Sequence, residues 1–214
     1  MSLEVEAKFR ITPQQATQIQ SFLRKEKATK LGNRFETNVY FDTKKSDFKK
    51  KGKAIRLRSI QKTDLKTRYA RLLDEHILTV KTNSKLKSKY KSKIEHELTG
   101  LPYDTTLNIL KVLNLQPVLI FQKKRISYKY KNAKIEIDQI PIIGYFCEIE
   151  TNNEKLIKEI LKDIKCENVK LIKIGYPSII NKFNHKIKQL SFIPPFYDSS
   201  TEMSFLKSKT PGIK

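Results

Sequence analysis

Residues 3–11 read Leu3-Glu4-Val5-Glu6-Ala7-Lys8-Phe9-Arg10-Ile11. Leu3, Val5, Ala7 and Phe9 fall on one side of an extended chain, and Glu4, Glu6, Lys8 and Arg10 on the other. Period two over this length predicts a strand with one apolar and one ionic face. The pattern recurs along the chain. Acidic pairs two residues apart occur at Glu4/Glu6, Glu95/Glu97, Glu136/Asp138 and Glu148/Glu150, and take eight of the 22 acidic residues. Basic pairs occur at Arg56/Arg58 and Lys123/Arg125, and Lys81 ends another strand-like run. Any one such pair is what the wet face of an antiparallel sheet looks like. Their segregation by sign, acids on some strands and bases on others, needs more. If the sheet closes with the charged faces inward, adjacent carboxylates require cations beside them. Divalent ions with oxygen ligands answer that need, and the arginines and lysines then face an anion. An interior ionic in both signs suits a metal-chelated polyphosphate.

The runs between these pairs set the element order. Thr12-Pro13 supplies an N-cap and an N1 proline for a helix over 13–28. Strands are expected at 36–42, 53–60, 76–82 and 92–99, with a polar loop at 61–75 and a lysine-rich hairpin over Lys85–Lys93. Asp104 is placed as the cap of a short helix through Leu113, ended by Pro117. Strand-like runs follow at 118–123, 124–130, 133–140 and 144–151, the first two readable as one. Thr151 or Asn152 then caps a helix at 153–164, and 177–190 reads as a last helix. One domain over 1–190 and a C-terminal tail over 191–214 are expected.

The chain has 214 residues and a formal charge of +22, so a polyanionic partner is the first thought. The excess is concentrated between Lys44 and Lys93, where only Asp47, Asp64, Asp74 and Glu75 oppose it. Hydrophobic residues at 38% reject wholesale disorder. No apolar run is long enough to cross a bilayer as a helix. The amino terminus turns acidic at once, without a signal pattern. Cys147 and Cys166 lie far apart with no CxxC, which argues against a zinc site or disulfide scaffold. A soluble cytoplasmic protein, with no membrane partner, is the expectation.

Glu4-Val5-Glu6-Ala7-Lys8 has the form ExExK, and it resembles the signature of the CYTH superfamily, the triphosphate tunnel metalloenzymes. The likeness continues in order through Tyr40-Phe41-Asp42-Thr43, through GKAIRLR at 52–58 and through Leu78-Thr79-Val80-Lys81. EHEL at 95–98, KKR at 123–125, IEIDQIP at 135–141, GYFCEIE at 144–150 and Gly175-Tyr176-Pro177-Ser178 complete it. Two departures stand out: Lys44-Lys45 occupy a place that carries proline and acid in the family, and 59–77 matches no family segment. The resemblance implies an α+β, mostly β fold: an eight-stranded antiparallel closed tunnel barrel with helices packed outside. It also implies hydrolysis of inorganic or organic triphosphates, thiamine triphosphate among them, or cyclisation of ATP by class IV adenylate cyclases. By position, Glu4, Glu6, Asp138, Glu148 and Glu150 resemble the Mg²⁺ or Mn²⁺ ligands. Lys8, Arg56, Arg58, Lys81 and Arg125 resemble the catalytic triphosphate cradle, with Lys123 as a further substrate-binding member. Glu95 and Glu97 match supporting acids.

Three readings follow. The first is a metal-dependent triphosphatase acting on a triphosphate-bearing small molecule. The second is an adenylate cyclase using the same cradle. The third is a non-enzymatic polyphosphate- or nucleic-acid-binding module, which has no use for five inward carboxylates. Oligomeric state is left open. His76, His96 and His185 are scattered and Cys147 shares a face with Ile149, so these are assigned to packing or surface, as is Lys173.

Overall fold

A computed structural model describes residues 2–62, 75–83, 90–183 and 189–190. For Ser2, Leu3, Glu4, Lys62, Lys91, Ser92, Phe183, Gln189 and Leu190 it describes the backbone alone. The expected 61–75 loop, most of the lysine hairpin, His185 and the tail over 191–214 lie outside the described residues.

Period two does make strands here, and Thr12 ends the first of them. β1 (Ser2–Ile11) gives way to α1 (Pro13–Lys25) through a capping box. Thr12 Oγ1 accepts from the Gln15 N–H at 3.1 Å, and the Thr12 N–H donates to Gln15 Oε1 at 2.8 Å. β2 (Thr29–Asp42) starts earlier than its β-rich centre suggests, because residues from Thr29 onward already pair with a neighbouring strand. At its other end the Asp42 carboxylate accepts from the N–H groups of Thr43, Phe48 and Lys49 at 2.8–3.0 Å. That fixes the turn into α2 (Asp47–Lys50), and Gly52 at φ 66° then admits β3 (Ala54–Lys62).

β4 (Glu75–Asn83), β5 (Lys91–Thr99), α3 (Tyr103–Val112), β6 (Gln116–Tyr130), β7 (Ala133–Ile140) and β8 (Gly144–Thr151) follow. α4 (Glu154–Asp163), α5 (Tyr176–Phe183) and β9 (Gln189–Leu190) complete the order. Four details differ from the sequence reading. Pro102, with no side-chain cap bond, precedes α3, and Asp104 sits inside its first turn. Pro117 lies within β6, opposite a register shift between Tyr40 and Phe41, where a missing N–H does least harm. Asn153 caps α4 through its own side chain, and Gln189–Leu190 pairs in parallel with β6 instead of continuing the last helix.

Antiparallel pairings run β2-β3-β4-β5-β1-β8-β7-β6, and β6 pairs again with β2 from Thr29 to Asp42, so the circuit returns to its start. Alternation then puts one face of every strand inside the curled sheet and the other outside. Outside, Val5, Ala7, Phe9, Ile135, Ile137, Cys147 and Ile149 pack under Ala16, Ile19 and Leu23 of α1 and Ile157, Ile160 and Leu161 of α4. Val39, Phe41, Ile55 and Leu57 pack under Leu107 and Leu110 of α3. α5 is the exception to helices on the outer face. Its Tyr176 and Ile180 meet Leu119, Phe121, Ile140 and Phe146, which share strand faces with the charged inward residues. One end of the interior is therefore apolar and carries a helix. No helix among the described residues is long and apolar enough to cross a membrane.

The outer core should dominate stability. Leu23 is fully buried and Val112 is 80% exposed. We expect Leu23→Ala to cost roughly 2–5 kcal/mol in urea unfolding, and Val112→Ala less than about 0.5 kcal/mol.

Candidate functional site

The inward face of each strand contributes a short run of polar groups spaced by two. β1 brings Glu6 and Lys8, β8 brings Glu148 and Glu150, and β7 brings Lys134, Glu136 and Asp138. β6 brings Lys123, Arg125 and Ser127, while β2 brings Arg34, Glu36, Asn38 and Tyr40. Arg56 and Arg58 of β3, Thr79 and Lys81 of β4, and Glu95 and Glu97 of β5 close the ring. Most of them line a cavity of about 1090 Å³, and others, Glu36, Glu136 and Asp138 among them, are buried behind its wall. Its wall includes Glu6, Lys8, Arg56, Arg58, Lys81, Lys123, Arg125, Glu95, Glu97, Glu148 and Glu150. Glu4 lies in β1 two residues before Glu6, and its side chain is outside the described set.

One pole of the cavity is acidic. Register places Glu136 opposite Glu148 and Glu6 opposite Glu150. Glu136, Glu148 and Glu150 each present a carboxylate oxygen within 4.8 Å of the other two, a group that could hold a metal ion. Burial, then repulsion from Glu136 and Glu148, pushes the Glu150 carboxyl up to about 7. Burial acts against the charge of Glu136 as well, but Arg125, Lys134 and Lys123 outweigh it and hold Glu136 low. Lys8 is 2% exposed and donates to Glu6 at 2.7 Å and Glu148 at 2.8 Å. Despite burial, those two carboxylates keep its ammonium above its ordinary range.

Asp138 stands apart from this trio. It is fully buried, and Arg125 grips both its oxygens at 2.5 Å. Lys123 donates to it at 3.1 Å and the Tyr176 hydroxyl at 2.6 Å. Tyr176 also lies beneath two cations, Lys8 Nζ at 4.3 Å and Lys123 Nζ at 5.0 Å from its ring centre. The resemblance carried a ligand role to Asp138, whereas the group of carboxylates that could hold a metal ion contains Glu136, its neighbour two residues away.

The other pole is basic. Arg56 donates to Thr79 Oγ1 at 2.9 Å and reaches Glu97 at 3.5 Å, while its buried Nε has no hydrogen-bond partner among the described residues. Burial and then Arg58 lower its pKa, the mark of an under-compensated cation. Burial would raise the Tyr40 phenol, but Arg56, Lys81, Arg58 and Lys123 outweigh that and hold it below its ordinary value. Arg58 Nε donates to Asn38 Oδ1 at 3.1 Å, and Asn38 Nδ2 has no hydrogen-bond partner among the described residues. Lys81 pairs with Glu95.

Glu36 was missed altogether, as were Arg34, Lys134 and the Tyr176 phenol. Glu36 is fully buried and lies 2.7 Å from Arg34, 3.3 Å from Arg58, 3.3 Å from Lys123 and 3.9 Å from Arg125. Its only sequence signal was strand parity with Asn38 and Tyr40. Of the residues assigned to packing or surface, the described ones stay there. Cys147 and Cys166 are buried, His96 and Lys173 are exposed, and His76 meets Ser59 Oγ at 3.0 Å.

The Glu36 contacts carry a pH signature. Burial alone would raise this carboxyl, but Arg58, Lys123, Arg125 and Arg34 hold it well below its usual range. A depressed carboxylate stabilises the fold above its unfolded pKa, and that stability is lost as pH falls through the folded value. We expect Glu36→Gln to cost roughly 3–5 kcal/mol at pH 7, because it strands buried cations. The gap to wild type in thermal melts should narrow only on acidification below the ordinary glutamate range.

Comparisons with known proteins agree with this architecture. The PH1819 protein from Pyrococcus horikoshii OT3 superposes with TM-score 0.68 at 22% identity, covering 85% of this chain and 99% of that one. A protein of Vibrio parahaemolyticus proposed as an adenylate cyclase gives TM-score 0.65 at 16% identity, covering 84% and 98%. A Hippeastrum protein proposed as an adenylyl cyclase, and named for a dominant triphosphatase activity, gives 0.62 at 14%, covering 86% and 97%. At these identities the likeness shows the fold. Comparison with curated proteins gives no match. The CYTH domain family matches residues 2–173, from the ExExK strand through the seven strands that follow it to β8, so the chain belongs to the CYTH domain family.

Proposed function

We propose that this chain is a metal-dependent triphosphatase, hydrolysing inorganic tripolyphosphate or an organic triphosphate such as thiamine triphosphate inside the charged cavity. One observation carries the reading. Glu148 and Glu150, two of three carboxylates with oxygens within 4.8 Å of one another, line the same cavity as buried cations of which Arg56 is under-compensated, and Glu136 completes the trio just behind its wall. A cavity built only to hold polyanion has no use for the first pole, and one built only to hold metal has no use for the second.

The donor set fits Mg²⁺ or Mn²⁺. Glu136, Glu148 and Glu150 offer hard oxygen ligands, and the raised Glu150 carboxyl reports crowding that a cation relieves. A divalent ion there supplies neutralisation of polyphosphate charge and activation of water. The remaining work falls to the chain's own groups. Arg56 and Arg58 offer planar donors to phosphate oxygens, and Lys81 and Lys123 act as point charges. Arg125, locked on Asp138, holds Glu136 and Glu148 in place. Lys8, held by Glu6 and Glu148, stands at the boundary between the poles. Phosphoryl transfer needs such alignment and charge stabilisation more than covalent help.

The name of the Hippeastrum neighbour supports hydrolysis, by analogy of fold. Adenylate cyclisation is the alternative: Tyr40, Val118, Leu119 and Pro177 of the cavity wall could cover an organic substituent, which serves ATP and an organic triphosphate such as thiamine triphosphate alike.

Incubation with tripolyphosphate, thiamine triphosphate and ATP, followed by product separation, decides between them. We expect orthophosphate as first product and faster turnover of tripolyphosphate than of ATP. Activity should vanish in excess chelator and return with Mg²⁺ or Mn²⁺. Cyclic AMP with pyrophosphate as the main products from ATP would establish the cyclase, and full turnover in chelator would remove the metal from the reading.

The basic pole gives a separate test. Arg56→Ala and Arg58→Ala should each lower kcat/KM by the equivalent of roughly 2–4 kcal/mol, the loss expected for a preorganised donor. Kinetics indistinguishable from wild type would place the polyphosphate elsewhere.

A further inference from the structure

Lys134 is a cation at the acidic pole that the triphosphatase reading does not use. Its Nζ lies 2.7 Å from Glu136 Oε1 and 3.2 Å from Glu150 Oε2, bridging two of the three clustered glutamates. It stands near the start of β7, while α5 packs on Ile140 at the other end of that strand. Asn132, Lys134, Thr151 and Asn152 line the cavity there. Lys134 is also the outermost member of the group, with a side chain 39% exposed against 0% for Glu136 and 20% for Glu150.

The other cations at this pole cannot move so easily. Arg125 is 4% exposed and is fixed by both oxygens of Asp138, with Glu136 and Glu148 on its remaining edge. Lys8 is 2% exposed and wedged between Glu6 and Glu148 over the Tyr176 ring. A lysine at a cavity mouth, on a four-carbon stem, can swing into solvent at little cost.

We propose that Lys134 is the resident counter-cation of the Glu136–Glu148–Glu150 cluster. It occupies the place between Glu136 and Glu150 that a divalent ion would take, and thereby sets the affinity of the site for that ion. The inference rests on the reading of the cluster as a metal site, and goes beyond it by assigning the competitor. The exchange is of one charge for two: the ammonium leaves Glu136 and Glu150 as the divalent ion arrives, while Arg125 stays on Glu136 and Glu148. The affinity measured is then the cation's attraction to the cluster less the ammonium's. It also gives the mouth lysine a second station, since the released ammonium faces the cavity where polyphosphate oxygens would lie.

Mn²⁺ binding to the full chain, followed by calorimetry and by electron paramagnetic resonance of free Mn²⁺, tests this without an activity assay. Lys134→Met removes the charge and keeps the stem, and we expect it to bind Mn²⁺ about tenfold more tightly or better. Lys134→Arg keeps the charge and should stay near wild type. Circular dichroism melts check that each variant folds, with Lys134→Gln replacing the methionine variant if that one does not. Unchanged or weaker Mn²⁺ binding by the uncharged variant overturns the proposal. So does equal tightening by the arginine variant, which would make the effect one of shape. If chelator-sensitive hydrolysis persists under either result, the triphosphatase reading stands and only the role of Lys134 falls. If neither wild type nor any variant binds Mn²⁺ at millimolar concentration, the metal reading of the cluster falls, and this proposal with it.

Discussion

Arg125 cannot leave water without carboxylates around it, and the sheet is arranged to supply them. Its guanidinium meets Asp138 and Glu136 of β7 and Glu148 of β8, and lies 3.9 Å from Glu36 of β2. Burial works against its charge, yet those four carboxylates keep its pKa well above the ordinary value. An isolated buried cation would cost many kcal/mol, so each of these carboxylates is a condition of the others' placement. The register delivers them: Arg125 faces Asp138 across β6 and β7, and Lys123 faces Glu36 across β6 and β2. A slip of one residue in β7 would turn Ile135 and Ile137 inward and take both of its β7 carboxylates from Arg125.

The outer face makes that arrangement affordable in the opposite way. The strands that turn charge inward turn Val, Ile, Leu or Phe outward, where α1, α3 and α4 cover most of them, although Leu98 of β5 is left exposed. The hydrophobic core of this protein therefore lies around the sheet more than within it. The interior is apolar only beneath α5, where Tyr176 bridges the two regimes. Its ring packs on Phe121 and Phe146, and its hydroxyl donates to Asp138. Burial and then Asp138 and Glu148 raise its pKa well above the ordinary phenol, which keeps it a donor.

Strand parity was legible in the sequence because it depends only on neighbours two residues away. It placed Glu6, Lys8, Arg56, Arg58, Lys81, Lys123, Arg125, Glu148 and Glu150 on the cavity wall. What stayed hidden depends on partners far along the chain. Glu136 and Asp138 share a strand and a face, and only the pairing of Glu136 with Glu148 and of Asp138 with Phe146 separates them. Glu36 lacks a like-charged residue at i+2, since Asn38 stands there, so a search for charge pairs passes over it. The ends of helices were misjudged for a related reason. Pro102 precedes α3 without a side-chain bond, although Asp104 is the better cap on chemical grounds. Local preference yields there to the path of the chain between β5 and β6.

Both poles of the cavity are left out of balance, in opposite senses. At one, burial and then Glu136 and Glu148 push Glu150 toward its neutral form; at the other, Arg56 is weakened as a cation by burial and by Arg58. Complete internal compensation was within reach, since Glu36 alone satisfies parts of four cations. A fold selected only for stability would bring the surplus acid and the surplus base together. Here they face each other across the cavity instead, on β8 and β3, which the pairing order keeps apart. A ligand of one sign relieves one pole and worsens the other. A ligand carrying both, such as the divalent cation chelated by a polyphosphate that we propose, would relieve the two at once, drawing its binding energy from the part of the electrostatic balance that folding leaves open.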